Sequence, residues 1–443
     1  MNKRKVLSLL VFAVTLLTAC ASPAGHGAAS ATPPAAATPP VSVAERQDPP
    51  QDAPYLLTAQ QGIVMTVGGE TANGCYSLDP YPDGTADIIY YDYATAQCVR
   101  LSSAPNTGHD PASTAYIPSF KGGARCLVSG DVLYVIKSGQ PYTDPAAEGN
   151  DPTATLYCMD LDGSDRTVLR YGTNLVFQWD GCVAGDKHGN LYTVLLIVDK
   201  ESTKTTSVLA KFGRDIEGYE VLYTWEEPVH AKLVGVCGTG FVVQLQDTGA
   251  PGLTTKLVLV QDKTESQPFL EWSGLDVSSY TIHNNVLYYT KNGDADLYTK
   301  TILQDTAPVC HAPFAYEDFQ PTMALLPCEV RDDHLIVQYL GVQEGVHTEK
   351  VQSHYAALDL DTNVFTPLNL YCGEGDDKTF VGIYAEGEHD FLVRVGKFTR
   401  TRTDYGTDGV PYRFEQGFED YVLISKSDYW SNQANYRRFQ YYE

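Results

Sequence analysis

Two clusters in this 443-residue chain combine residue types and spacings that could do chemistry. In LYCMDLDGSDRTVLRYG, residues 156–172, Asp160, Asp162 and Asp165 surround Gly163 and could offer oxygen ligands to calcium. An EF-hand loop also needs a liganding Glu at its twelfth position and a helix on each side, and neither is present. The segment therefore reads as a β-hairpin, with Leu156–Met159 and Thr167–Tyr171 as its arms. The second cluster is GKFTRTRTDYGTDGVPYRFEQG, residues 396–417, in which Arg400, Arg402 and Arg413 stand among Tyr405 and Tyr412. Guanidinium forks beside flat aromatic faces suit carboxylated sugars, peptide carboxylates or an acidic protein patch. The blander alternative is a solvated loop whose arginines pair with Asp404, Asp408 and Glu415.

Catalysis has less to stand on. The sequence contains no GxSxG elbow, HExxH, GxGxxG or P-loop. Its histidines form no His-x-His pair, and His347 and His354, read as sharing one loop, are expected to face solvent rather than hold a metal. No catalytic residue, metal or cofactor is assigned, although a glycosidase-type carboxylate pair could hide among the many Asp and Glu.

The elements that must position these residues begin at the N-terminus. Lys3, Arg4 and Lys5 precede an apolar run, Val6–Leu17, of signal-peptide length, and Leu17-Thr18-Ala19-Cys20 resembles a bacterial lipobox. Residues 1–20 are thus read as a lipoprotein signal peptide, with Cys20 lipidated and the mature chain held outside the membrane as a cell-envelope lipoprotein. Residues 21–54 are rich in Ala, Pro, Ser and Thr and bury too little to fold, which makes them a spacer. The globular domain is placed at 55–443. A formal charge of −24 argues against nucleic-acid binding and for solubility. The remaining cysteines, 75, 98, 126, 158, 182, 237, 310, 328 and 372, form no CxxC and mostly sit in apolar runs. They read as small buried hydrophobes, with one or two disulfides as the alternative in an exported protein.

The hairpin pattern recurs. Asp160 is followed nine residues later by Leu169, Asp92 by Leu101 and Asp359 by Leu368. Around these lie longer units of strand, tight turn, strand, loop, strand, turn, strand. Examples are ARCLVSGDVLYVIKSG with the opening hairpin, and DGCVAGDKHGNLYTVLLIV with SVLAKFGRDIEGYEVLYTW. GIVMTVGGETANGCYSLD reads as the start of the first unit and ANYRRFQYY as the end of the last. The pattern predicts an all-β chain, a β-propeller of seven four-stranded blades, with six or eight blades, or a tandem of β-sandwiches, as the alternatives. Pairs such as Leu133-Tyr134, Leu191-Tyr192 and Leu287-Tyr288 would then fill the spaces between blades.

DIIYYDYATAQCVRL, LYCMDLDGSDRTVL and NVLYYTKNGDADLY resemble the bacterial propeller lipoproteins related to the low-density-lipoprotein-receptor-like propeller, a family largely without known function. The resemblance implies a propeller and brings no established activity. Relatives often carry Cys and His after the first blade. Here LSSAPNTGHDPASTAY keeps His109 but has no Cys, so no metal or disulfide station is carried over.

If strands A to D run from axis to rim, most of the long loops gather on the B–C and D–A face. Tyr142 and His347, from two of those loops, join the arginine cluster as candidate ligand contacts. The reading is a monomeric, membrane-anchored module that binds a surface protein, peptide or glycan. A surface enzyme acting on glycans or peptides in the central pocket is the alternative, and a structural subunit of an envelope complex is a third reading. Convergent carboxylates at the mouth would favour the enzyme, and arginines with aromatics would favour binding.

Overall fold

The acidic segment 160–165 is a hairpin turn. The computed structural model describes residues 52–442 apart from short internal stretches, the longest being 103–108, 119–122, 143–150, 312–323, 343–350 and 406–409. Strands Ala154–Asp160 and Thr167–Gly172 pair antiparallel, with Leu156 opposite Leu169. Gly163 and Asp165 take φ of 83° and 51°, which closes the turn, and the Gly163 N–H donates to the Asp160 carbonyl at 2.8 Å. Asp162 accepts from the Ser164 N–H at 2.9 Å, while Asp160 reaches Arg214 at 2.7 Å. The related turns use the same device. Asp92 accepts from the Ala94 N–H, and Asp359 from the Asp361 and Thr362 N–H groups, each at 2.9 Å. At 92 and 359 the recurring Asp caps the turn with its side chain, whereas Asp160 closes its turn through the backbone and Asp162 supplies the side-chain cap.

Among the described residues, seven sheets have four or more strands. We number them along the chain: sheet 1 starts at Glu70, sheet 2 at Ala124, sheet 3 at Val183 and sheet 4 at Val229. Sheets 5, 6 and 7 start at Val277, Ala324 and Ile383. In each, consecutive strands are neighbours and pair antiparallel, and we letter them A to D. Apolar side chains on the two faces of each sheet join different clusters. Leu133 packs with Ile88 and Ile117 toward sheet 1, whereas the next residue, Tyr134, packs with Leu191 and Phe212 toward sheet 3. Leu287 and Tyr288 divide in the same way between sheets 4 and 6. The tyrosine hydroxyls find acceptors: Tyr134 donates to the Gly189 carbonyl at 2.5 Å and Tyr192 to Asp186 at 2.8 Å. A last cluster sets Cys75, Tyr91 and Cys98 of sheet 1 against Ala385, Leu392 and Leu423 of sheet 7. Each sheet therefore covers its successor, and the last covers the first. This is a β-propeller.

Both chain ends depart from the sequence expectation. GIVMTV does not form the first strand of sheet 1. Val64–Met65 pairs with Gln60–Gln61, and sheet 1 begins only at Glu70–Thr71. Tyr55–Leu56 adds to the inner edge of sheet 3, opposite Gly185 and Ala184. The short hairpin lies against strand A of sheets 5, 6 and 7, and the Gly68 carbonyl accepts from the Val128 N–H in strand A of sheet 2. The described residues between 55 and 69 thus line the inside of the ring. At Gly68, with φ of 75°, a Cβ would meet Leu127 Cδ2 at 2.3 Å. At the other end, ANYRRFQYY splits between two sheets. Arg437–Arg438 completes sheet 7, whereas Gln440–Tyr441 crosses to the outer edge of sheet 1, parallel to Gln97–Cys98. The intervening helix, Lys426–Trp430, is capped by Ser425, whose hydroxyl accepts from the Asp428 N–H.

Candidate functional site

Segment 396–417 is a two-stranded ribbon rather than a loop. Asp390–Tyr405 and Pro411–Ser425 stay in register to the pair Tyr405–Pro411, well beyond their last pairings with strands A and D. The cause is the Thr-Arg alternation, which has the period of a strand. Thr399, Thr401 and Thr403 are exposed on one face. Phe398, Arg400 and Arg402 share the other with Phe418, Gln416 and Phe414, their partners in register. That second face meets sheet 1.

The partners waiting there are carboxylates. Asp79 and Asp87 lie in neighbouring strands on the sheet-1 face that looks toward sheet 7, with side chains 3% and 0% exposed. Arg402 Nη2 and the Tyr442 hydroxyl both donate to Asp79 Oδ2. Burial disfavours the charged Arg402, but Asp79 outweighs it and holds the guanidinium above its ordinary pKa. The Tyr442 hydroxyl is pushed well up, by burial first and Asp79 second. Asp87 is held by Arg100 Nε at 2.7 Å and by the Tyr81 hydroxyl at 3.1 Å. Its other oxygen meets His109 Nδ1 at 3.0 Å, and His109 Nε2 meets the Thr85 hydroxyl at 2.7 Å. Tyr81 is pushed up to about 12 by burial and by Asp87. Rings bind the set together: His109 stacks on Tyr81 at 3.7 Å, and Arg402 lies 4.6 Å over the same ring.

Next to this network is a cavity of about 210 Å³, with an apolar wall built by Tyr91, Tyr384, Tyr421, Tyr441, Tyr442 and Phe418. Its polar lining includes Asp79, Arg400 and Gln416. Arg400 donates to the Tyr442 carbonyl and lies 5.4 Å over the Tyr441 ring.

Of the residues expected to bind ligand, Arg400 and Arg402 therefore meet at one seam. Arg402 reaches back to Asp79, which no local pairing could supply, and Glu415 is exposed on the opposite face of the ribbon; the Asp404 side chain and Asp408 lie outside the described residues. Tyr405 ends its strand, opposite Pro411. Tyr412 is 45% exposed near the ribbon tip and Arg413 is exposed on the face turned away from sheet 1. Tyr142, 76% exposed, lies in the turn that follows strand Val132–Lys137 of sheet 2 and does not line this cavity. His347 and Cys20 lie outside the described residues. His354 is not in a loop; it stands in strand Val351–Asp359, opposite Tyr339.

Sequence reasoning missed Asp79, Asp87, Arg100 and Tyr442. The signal was DPYPDGTAD, in which two aspartates flank a Pro-Asp-Gly turn at inward positions of otherwise apolar strands. It also missed the convergence of Glu70, Glu329 and Glu386 on Arg331. One Arg331 nitrogen is 3.0 Å from both Glu70 oxygens, and its Nε is 3.0 Å from Glu329. Burial works against the Arg331 charge, but the three carboxylates overcome it and raise its pKa. Carboxylates engaged in this way join sheets 6, 7 and 1.

No protein-family model and no curated protein matches this sequence. Among solved structures, the chain is similar to a prolyl endopeptidase at 9% identity and a TM-score of 0.39, covering 81% of this chain and 54% of that one. It therefore spans about half the length of that protein. It is also similar to the β-propeller domain of the Trilobed protease from Pyrococcus furiosus, at 9% identity, TM-score 0.35, and 71% and 82% of the two chains. TolB from Acinetobacter baumannii follows at 10% identity, TM-score 0.32, and 79% and 76% coverage.

Proposed function

We propose that this chain is a lipid-anchored, extracytoplasmic binding protein of the propeller-lipoprotein type, with its recognition site in the cleft between sheet 1 and the sheet-7 ribbon. The observation that carries the reading is the cavity of about 210 Å³ at that seam, with aromatic walls and a few convergent polar groups. The cleft lies at the far end of the sheets from the first described residues. Asp52 pairs with Lys187, and the Tyr55 hydroxyl accepts from the Gly130 N–H at 3.0 Å, so the chain enters at the A–B turns. The ribbon and Asp79 lie at the opposite, B–C end.

Two experiments test this. Metabolic lipid labelling and membrane fractionation of cells carrying the wild type or Cys20→Ser examine the anchor, and labelling that survives the substitution rejects it. Thermal-shift screening of the full-length chain in detergent against glycan, peptide and small-solute libraries examines the cleft. At least one binder should be lost in Gln416→Leu; binders indifferent to cavity substitutions reject the site.

The enzymatic reading has one observation in its favour, the line of Thr85 hydroxyl, His109 imidazole and Asp87 carboxylate, with contacts of 2.7 and 3.0 Å. Against it, the same hydroxyl lies 2.6 Å from Asp83, and Arg100 and Tyr81 engage the far oxygen of Asp87. Ester hydrolysis by the full-length chain that disappears in Thr85→Ala would favour the enzyme over the binding module.

A further inference from the structure

Of the three charged side chains that line the sheet 1–ribbon cavity, Asp79, Arg400 and Glu419, the opposite charges Asp79 and Arg400 have bonding capacity left over. Asp79 is 3% exposed; its Oδ2 takes both Arg402 and Tyr442, while its Oδ1 is buried with no hydrogen-bond donor. Arg400 lines the same cavity and gives one N–H to the Tyr442 carbonyl. Among the described residues no carboxylate lies within ion-pair distance of Arg400, although Glu419 also lines the cavity. Glu419 is engaged instead by Arg394 and Lys397, each at 3.4 Å. Two further polar atoms of lining residues, Gln416 Oε1 and the Tyr441 hydroxyl, are buried without a partner.

A ligand that satisfies this lining must donate to a carboxylate oxygen and accept from a guanidinium at the same time. A lone amine would meet the Arg400 charge, and a lone carboxylate would meet Asp79. A zwitterion meets each pole with its complement, through charge-assisted hydrogen bonds at both ends. The tyrosine walls add a face to which an ammonium is attracted and against which an aliphatic side chain packs. The volume sets the size: about 210 Å³ holds about seven waters at ~30 Å³ each, the bulk of one small amino acid.

We infer that the cavity between sheet 1 and the sheet-7 ribbon binds a small α-amino acid, with its ammonium on Asp79 Oδ1 and its carboxylate on Arg400. This deepens the binding-protein reading above and rests on it.

Isothermal titration of the full-length chain in detergent with glycine, alanine and valine, set beside ethylamine and acetate, tests the inference. One of the amino acids should bind, and ethylamine and acetate should each bind at least about tenfold more weakly, since each loses one charged contact. Asp79→Asn and Arg400→Gln should each lower the amino-acid affinity by about tenfold or more. Arg400→Gln leaves the Asp79–Arg402 pair intact, so it decides the question if Asp79→Asn does not fold. Equal binding of ethylamine and alanine, or unchanged binding in folded Arg400→Gln, overturns the inference. A chain that ignores amino acids yet holds another solute that Gln416→Leu abolishes sinks the ligand class alone. Cavity-independent binding throughout sinks the site as well.

Discussion

Asp79 and Asp87 are paired directly across neighbouring strands of sheet 1, and both are buried. Like charges so placed repel one another, and burial deprives them of water. The fold meets this cost from two directions. Asp87 is neutralised within its own sheet by Arg100 and contacted by His109, which the following connection brings in. Asp79 depends on Arg402, which arrives from the last sheet, and on Tyr442 at the C-terminal end. Closing the ring and neutralising Asp79 are therefore one event.

Arg402→Met should destabilise the chain by about 3–5 kcal/mol, because it leaves a buried carboxylate without its cation. Asp79→Asn/Arg402→Met should recover most of that loss. Denaturant unfolding of the full-length chain and the variants measures both. If the double variant is no more stable than Arg402→Met, the pair does not act as a unit.

The propeller was legible because its signals are local. Leu133 and Tyr134 differ by one position and therefore face opposite sheets, and Asp92, Asp160 and Asp359 each close a turn a few residues long. The seam was not legible, because Arg402 meets Asp79 from the far end of the chain and no spacing encodes such a contact. The ribbon carried its signal in Thr399, Arg400, Thr401, Arg402 and Thr403, but the Gly-, Asp- and Pro-containing stretch after it argued for a loop. GIVMTV misled for another reason: an apolar run reads as a strand but does not say which sheet that strand will join.

The inner segment should contribute to stability through Thr58. Its side chain is fully buried, its hydroxyl accepts from the Val183 N–H at 2.8 Å, and its own N–H donates to the Val183 carbonyl at 3.2 Å. Thr58→Val keeps the shape and removes the acceptor, leaving a buried N–H unpaired at a cost of about 1–3 kcal/mol. Thermal unfolding of the full-length chain should show the drop, and an unchanged midpoint would mean that this segment is not held against sheet 3.

Stability should fall through His230 as the pH drops below about 6.5. Burial, the leading cause, holds its pKa below the ordinary histidine value of 6.5. The unfolded chain therefore takes up a proton at a pH where the folded chain does not, and stability is lost as pH falls below about 6.5 toward the folded value. His354 is lowered in the same direction, also by burial. His230→Gln should flatten the stability–pH curve in this window, and adding His354→Gln should flatten it further. A parallel curve in both variants would assign the acid sensitivity to other groups.

The cysteines should report the tightness of the ring. Cys75, Cys98, Cys126, Cys158, Cys182, Cys237 and Cys328 are buried, and most of them sit in the clusters between sheets. Reaction with a disulfide reagent needs the thiolate and access to it. Burial opposes both, pushing the Cys98, Cys158 and Cys328 thiols up to about 12 and Cys237 to about 11. At pH 8 these seven thiols should label only as fast as the native chain opens, and all should label at once in denaturant. Mass-spectrometric mapping after a short exposure separates the sites. The comparison of Cys98 with Cys237 carries the most information, since Cys98 lies at the seam closed by Arg402 and Cys237 between sheets 4 and 5. Arg402→Met should speed labelling at Cys98 and leave Cys237 slow. Equal acceleration at both would mean that the seam opens only when the whole ring does.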